Sequence, residues 1–295
     1  MPPKLSVVIA SVNGLPSILE CLESLEALPE RDQMEILVLD RCGRETAQTI
    51  AQRFPRVSLH AGRSERSIPE LRWQGMRAAR GEMVAVLEDH CIVTTQWAAE
   101  ILRFAHSPYG VIGGPVENAS NRILDWAFYL AEYTAAIPPL PEGETDAVPG
   151  NNAAYRRSVL PLADSAWASL WENFLQQELR RRGVRFFLNP AMLIHHKKRF
   201  RLGEMLAQRF YYSRSLAAMR GTRMGAAGRL LRAAASLVLP LVLLWRVVFN
   251  LARKRRNVKE FLVGLPAIAL FVVAWAAGDV AGYLAGGGNS LQRVE

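Results

Sequence analysis

The chain is poor in cysteine. Its 295 residues hold three, Cys21, Cys42 and Cys91, odd in number and far apart. That spacing fits neither a zinc site nor a disulfide framework. Reduced thiols in a cytosolic setting are the expectation. No glycine-rich loop bearing a lysine follows the first apolar run, which counts against a nucleotidyltransferase. No recognition motif for nucleic acid is present. No apolar export segment precedes the first strand either: Met1-Pro2-Pro3-Lys4 leads straight into a β-branched run. The soluble part is therefore expected to stay on the cytosolic side.

Positive charge is in excess, and so, late in the chain, are apolar residues. The net charge is +9, with basic clusters at 180–182, 195–201, 209–232 and 253–259. Residues 1–200 have the composition of a soluble α/β protein, whereas 225–285 are far more apolar. Basic clusters that flank apolar segments favour an anionic membrane surface over nucleic acid as the partner. Residues 262–285 carry no charge before Asp279. A bilayer span takes about 20 apolar residues, so this segment is long enough. The run at 233–245 is interrupted at Arg246. If both runs spanned, the basic link Arg253-Lys254-Arg255-Arg256 would lie opposite the soluble N-terminal part, against the positive-inside tendency. The first run is therefore expected to lie in the interface plane or to re-enter. Asp279 is either an intramembrane carboxylate with a task or a headgroup-level group in water.

The first 90 residues alternate strand and helix signals. Apolar runs at 5–10, 35–40, 57–60 and 82–87 read as strands, and helical spacing at 16–28, 46–54 and 68–80 fills the gaps. Such alternation predicts a doubly wound, mostly parallel sheet. Right-handed crossovers put Ser11 to Asn13, Asp40, and Glu88 to His90 on one edge of it, where ligand groups gather in α/β sheets. Glu88, Asp89 and His90 end a wholly apolar run. Unpaired charges do not sit inside strands, and two carboxylates with an imidazole can hold a divalent cation. Further on, a strand is expected at 111–116, a helix at 121–136, a long proline-rich loop at 138–149 and a helix at 171–182 with Glu172 near its start. The polar turn Gly150-Asn151-Asn152 and the pair His195-His196 are the remaining candidate site residues.

These residues, in this order, resemble the family 2 glycosyltransferases, whose catalytic domain has the GT-A fold. The resemblance rests on Ser11-Val12-Asn13 after the first strand, Asp40 after the second, Arg72-Trp73-Gln74-Gly75 before the metal strand, and Glu88-Asp89-His90 in place of Asp-x-Asp. Gly150-Asn151-Asn152-Ala153-Ala154-Tyr155-Arg156 and Glu172-Asn173 continue the pattern. The processive members' Gln-x-x-Arg-Trp is not matched by Gln208-Arg209-Phe210-Tyr211-Tyr212, so a single transfer is expected.

The resemblance implies an α/β GT-A domain over 1–222 and a membrane-associated helical region over 223–295. It implies an inverting transfer from a nucleotide-sugar donor to an acceptor hydroxyl or phosphate, at the cytoplasmic face of the inner membrane. A lipid or lipid-linked saccharide is the expected acceptor. Donor binding falls to Ser11, Asn13, Asp40, Arg72, Glu88 and Asp89. A divalent cation, Mn or Mg, is expected on Asp89, His90 and His196. Acceptor binding falls to Gly150, Asn151 and Asn152, and general-base catalysis to Glu172. The alternative is a catalytically silent nucleotide-binding membrane protein on the same fold.

Overall fold

The computed structural model of the chain describes residues 2–61 and 65–294. The elements run β1 (Leu5–Ser11), α1 (Ser17–Glu26), β2 (Met34–Asp40), α2 (Arg44–Arg53), β3 (Ser58–Ala61), α3 (Ile68–Ala78), β4 (Met83–Glu88) and β5 (Cys91–Val93). Next come α4 (Trp97–Arg103), β6 (Val111–Gly113), β7 (Val116–Asn118), α5 (Ile123–Tyr133), β8 (Gly143–Thr145), β9 (Asn152–Arg156) and α6 (Glu172–Arg181). The chain closes with β10 (Phe186–Leu188), β11 (Ile194–His196), α7 (Leu202–Gly221), α8 (Ala226–Ser236), α9 (Leu239–Lys254) and α10 (Val258–Ala285). Its contacts divide it into two compact units, Met1–Ala119 with Ala136–Lys197, and Ser120–Ala135 with Lys198–Glu295.

The first unit is built on an eight-stranded sheet of order β3-β2-β1-β4-β9-β6-β10-β8. β1, β2, β3 and β4 are parallel, with Val8 between Leu37 and Val86. Every residue of β1 is buried, as expected of a central strand covered on both faces. Helix α3 lies close over it: a Cβ on Gly75 would fall 2.3 Å from Val8 Cγ1. That helix starts at a capping box, in which Ser67 and Glu70 satisfy each other's backbone N–H. β9 runs antiparallel to both β4 and β6, so the sheet is mixed. The parallel crossovers bring Ser11, Asp40 and Glu88 to one edge.

Two local expectations change. The strand expected over 111–116 is two strands in two sheets. β6 joins the large sheet, and β7 joins a three-stranded sheet of order β5-β11-β7. The chain breaks between them because Gly114 passes against the Met192 carbonyl, where a Cβ would fall 1.8 Å from the oxygen, and Pro115 has no N–H for a ladder. The loop expected over 138–149 contains β8, which pairs antiparallel with β10.

The second unit is helical. α10 runs 28 residues with a mean hydropathy of 2.2 over its most apolar stretch, and among the described residues it alone is long and apolar enough to cross a membrane. α8 and α9 meet at a 53° bend and reach that length only as a pair. The division expected at residue 222 is not where the compact units part. Helices α5 and α7 both pack on α10, and α7 is joined to α5 by Arg209–Glu132 at 2.5 Å. Glycines permit that packing: a Cβ on Gly278 would fall 2.3 Å from Phe210 O, and one on Gly282 would fall 2.4 Å from Arg214 O.

Candidate active site

Glu88 is the last residue of β4, and Asp89 and His90 form the turn that follows. β5 then pairs antiparallel with β11, setting His196 opposite Cys91. This register carries His196 to His90: their Nε2 atoms lie 3.0 Å apart and the rings meet edge to face at 4.6 Å. Glu88 Oε2 is 3.3 Å from His90 Nε2. The ligand atoms of Glu88, His90 and His196 all lie within 4.8 Å of one another. His195, on the same short strand, points to the other face as the strand pleat requires.

Asp89 was expected among the metal ligands and is turned the other way. It is fully buried. Its Oδ2 accepts the backbone N–H groups of Val12 and Asn13, both at 2.7 Å. Its Oδ1 accepts Asn13 Nδ2 at 2.6 Å and lies 3.1 Å from His90 Nδ1. With Nδ1 held against a carboxylate, the ring directs Nε2 at Glu88 and His196, the arrangement of carboxylate–histidine–metal sites. Asp89 and Asn13 therefore orient His90 from behind. Burial alone would raise the Asp89 carboxyl, but the His90 hydrogen bond and charge and the two loop amides hold it below the usual carboxylate range.

Glu88 divides its two oxygens among three neighbours. Oε1 accepts Arg72 Nη2 at 3.0 Å, and Oε2 faces His90 and accepts Asn151 Nδ2 at 3.3 Å. Burial acts to raise this carboxyl too, and is overcome by the hydrogen bond from His90 and the charges of His90, Arg72 and His196, so it lies well below the usual range. The residues present fit a divalent cation. They offer one carboxylate and two imidazoles, a mixed set that suits Mn²⁺ better than the all-oxygen preference of Mg²⁺. The thiols beside them do not join in. Burial, with the nearby acidic charges, pushes Cys21 and Cys91 up, so both stay protonated.

Arg72 was expected to face a diphosphate. It is only 4% exposed and bridges two carboxylates instead, giving Nη1 to Glu172 and Nη2 to Glu88. Glu172 is the first residue of α6, where a carboxylate is favoured by the helix dipole. Gly150 lies against it: a Cβ there would fall 3.4 Å from Glu172 Cβ. Asn151 joins the site through Glu88. Asn152, expected beside it for acceptor binding, does not. It is wholly buried, donates to Pro115 O at 3.0 Å and Met192 O at 2.7 Å, and accepts Trp97 Nε1 at 2.9 Å. Asn151 still belongs to the turn, whereas Asn152 is the first residue of β9, so the two side chains part where the strand begins.

A residue the sequence reading missed is Gln176. Its amide pairs both ways with the Val148 backbone, at 3.2 and 3.1 Å, and so fixes the turn that carries Gly150 and Asn151. The available signal was its position four residues after Glu172, on the same helix face. At the far side of the edge, Ser11 Oγ donates to Asp40 Oδ1 at 2.7 Å, and Gly43 N donates to Oδ2 at 3.3 Å. The Ser11–Asp40 pair is buried where β1 and β2 end.

The model of Glycosyl transferase family 2 matches residues 6–161, more than half of the chain, and the chain belongs to that family. It is a glycosyltransferase that takes its sugar from a nucleotide-sugar. No curated protein matches it. In fold it is similar to a mannosyltransferase, PcManGT from Pyrobaculum calidifontis, solved in complex with GDP-Man and Mn²⁺. That likeness has 17% identity and a TM-score of 0.55, and covers 95% of this chain and 87% of the other. It is also similar to S. aureus TarS 1-349, at 13% identity and a TM-score of 0.52, covering 94% and 90% of the two chains.

Proposed function

We propose that this chain is a metal-dependent, inverting glycosyltransferase attached to the membrane, with a lipid or lipid-linked saccharide as acceptor at the cytosolic face. One observation carries the reading: Glu88, His90 and His196 converge within 4.8 Å at the sheet edge and are tied to Glu172 through Arg72. A divalent cation bound there supplies Lewis-acid neutralisation of the leaving diphosphate. The Mn²⁺ and GDP-Man of the Pyrobaculum relative support this donor chemistry.

The chain's own groups do the rest. Asp89 and Asn13 hold the His90 ring so that Nε2 points into the site. Arg72 sets the spacing between Glu88 and Glu172. The acceptor oxygen attacks the anomeric carbon while the bond from that carbon to the diphosphate oxygen breaks, which inverts the centre. For a hydroxyl acceptor, Glu172 takes the proton as general base. A phosphate acceptor is already ionised and needs no such transfer. Gly150 leaves open the space next to Glu172, and Asn151 borders it. Asp40 and Ser11 end the neighbouring strands, as a nucleoside-binding edge requires. The apolar α10 and the exposed leucines of the second unit support membrane attachment.

The test is thermal stability of the purified full chain with a panel of nucleotide-sugars, with and without Mn²⁺, since a ligand of the folded state stabilises it by mass action. One donor is expected to raise Tm only with the cation, and His196→Ala abolishes that rise. Transfer of the same sugar to extracted membrane lipids then identifies the acceptor. A metal-independent response, or none to any donor, overturns the reading.

A further inference from the structure

The C-terminal glycines of the second unit have no part in the reading above, yet they shape a cavity of about 530 Å³. Its lining includes Ala218, Met219 and Thr222 from α7 and its end, Arg229 from α8, and the Gly286-Gly287-Gly288 tract after α10. Gly286 and Gly288 have φ of +74° and +52°, which turn the chain sharply there. Arg214 Nε donates to Gly286 O at 2.9 Å and so ties the tract to α7. Met219, Met224 and Leu291 supply apolar wall, and Ser215 and Thr222 are the hydroxyl-bearing residues of the lining.

Across the latter part of α7 and all of α8 the charge is of one sign, and Asp279, one turn before Gly282 on α10, is buried. Residues 205–259 contain no aspartate or glutamate. Within them, Arg223, Arg229 and Arg232 are exposed and make no ion pair among the described residues. The same helix α8 turns Leu230 and Leu231 outward, 63% and 72% exposed. Guanidinium groups and leucines exposed on one short helix describe an element at a lipid–water boundary, with the leucines in the acyl region and the arginines at headgroup level.

We propose that this cavity binds the phosphate headgroup of an anionic membrane lipid. Arg229 meets the phosphodiester, and Met219, Met224 and Leu291 take the first carbons of the lipid. The charge fits an anion, the walls fit an amphiphile, and the size falls in the range of small-ligand sites, about 300–1,000 Å³. The inference rests on the membrane attachment proposed above and is independent of the transfer chemistry.

The experiment is thermal unfolding of the full chain in detergent, with added phosphatidylglycerol, phosphatidylcholine or inorganic phosphate. Phosphatidylglycerol is expected to raise Tm by a few degrees more than phosphatidylcholine, and inorganic phosphate is expected to leave it unchanged. Arg229→Gln, at an exposed position, and Gly287→Leu, which fills the cavity, both lose the difference. Equal shifts from the two lipids, a difference that survives in Arg229→Gln, or a shift reproduced by inorganic phosphate overturns the proposal. Donor and Mn²⁺ are added in a parallel series. Their shift persists in both variants, so failure of the lipid site and failure of the transferase reading are told apart.

Discussion

In the first unit apolar strands lie inside, and the charged groups of the site lie at the sheet edge, each answered by another. In the second unit the arrangement is inverted. Every exposed large hydrophobic side chain among the described residues belongs to it, from Ile123 and Leu202 through Leu231, Leu241 and Trp245 to Leu284. Its buried interior holds Arg209, set over the Trp275 ring at 4.2 Å and paired with Glu132. Water explains the first pattern, because it rewards apolar burial by about 25 cal/mol per Å². It does not explain the second, since so much exposed apolar surface is unfavourable in water and neutral in lipid. The same chain thus reads as folded against two solvents.

The comparison can be broken at several points. The largest effect is expected in the first unit. Glu172→Gln keeps a partner for Arg72 but cannot take a proton, and should lower kcat for a hydroxyl acceptor by about 10²–10⁴-fold. Unchanged turnover with a hydroxyl acceptor would remove Glu172 from catalysis. In the second unit, Glu132→Ala leaves the Arg209 guanidinium buried and unpaired, and is expected to cost about 3–5 kcal/mol. Combining Arg209→Met with Glu132→Leu should restore most of that loss in detergent melts. If the double variant is as unstable as the single one, the pair does more than balance charge.

A smaller effect is expected at the support of His90. Asp89→Asn should weaken Mn²⁺ binding by about 10–100-fold, the size usual for an outer-shell partner, as read by titration calorimetry. The same site sets an acid limit. Glu88 and Asp89 have folded-state pKa values below their unfolded ones. Their stabilisation is therefore present above the ordinary carboxylate range, near about 4, and is lost as pH falls through the depressed folded values. Stability to urea should be level from neutral pH to about 5 and decline below about 4. A decline beginning near neutrality would point to histidines instead. The smallest effect belongs to the outward leucines. Leu231→Lys should change stability in detergent by less than about 0.5 kcal/mol while reducing recovery in the membrane fraction. A large loss of stability in detergent would mean that Leu231 packs against protein.

Much of the fold was legible because period and position carry it. The strands ending at Ser11, Asp40 and Glu88 announce themselves by apolar runs that stop at polar groups, and parallel crossovers leave one edge for them to share. The site was legible only in part. Glu88, His90 and His196 were named, but Asp89, expected beside them as a ligand, lies behind His90. The sequence shows two adjacent carboxylates, and only the turn decides which one faces out. Asn151 and Asn152 also part: Asn151, in the turn, reaches Glu88, while Asn152, at the start of β9, is buried among backbone carbonyls. The Arg72–Glu172 bridge joins residues 100 apart, and no local pattern records such a pairing. The unit boundary was misplaced because α5 lies early in the chain, yet its partners, α7 and α10, come after residue 200.

The sequence by itself determined the sheet-forming segments, the edge where polar groups collect, the family, and a C-terminal region far more apolar than the rest. These follow from local period and composition, which a single segment carries without its neighbours. Tertiary structure alone decided which carboxylate meets the imidazoles, that Arg72 links Glu88 to Glu172, and that glycines after α10 leave a cavity beside Arg229. Each of these depends on the direction of a side chain or the approach of distant backbones, and those are set only when the elements pack.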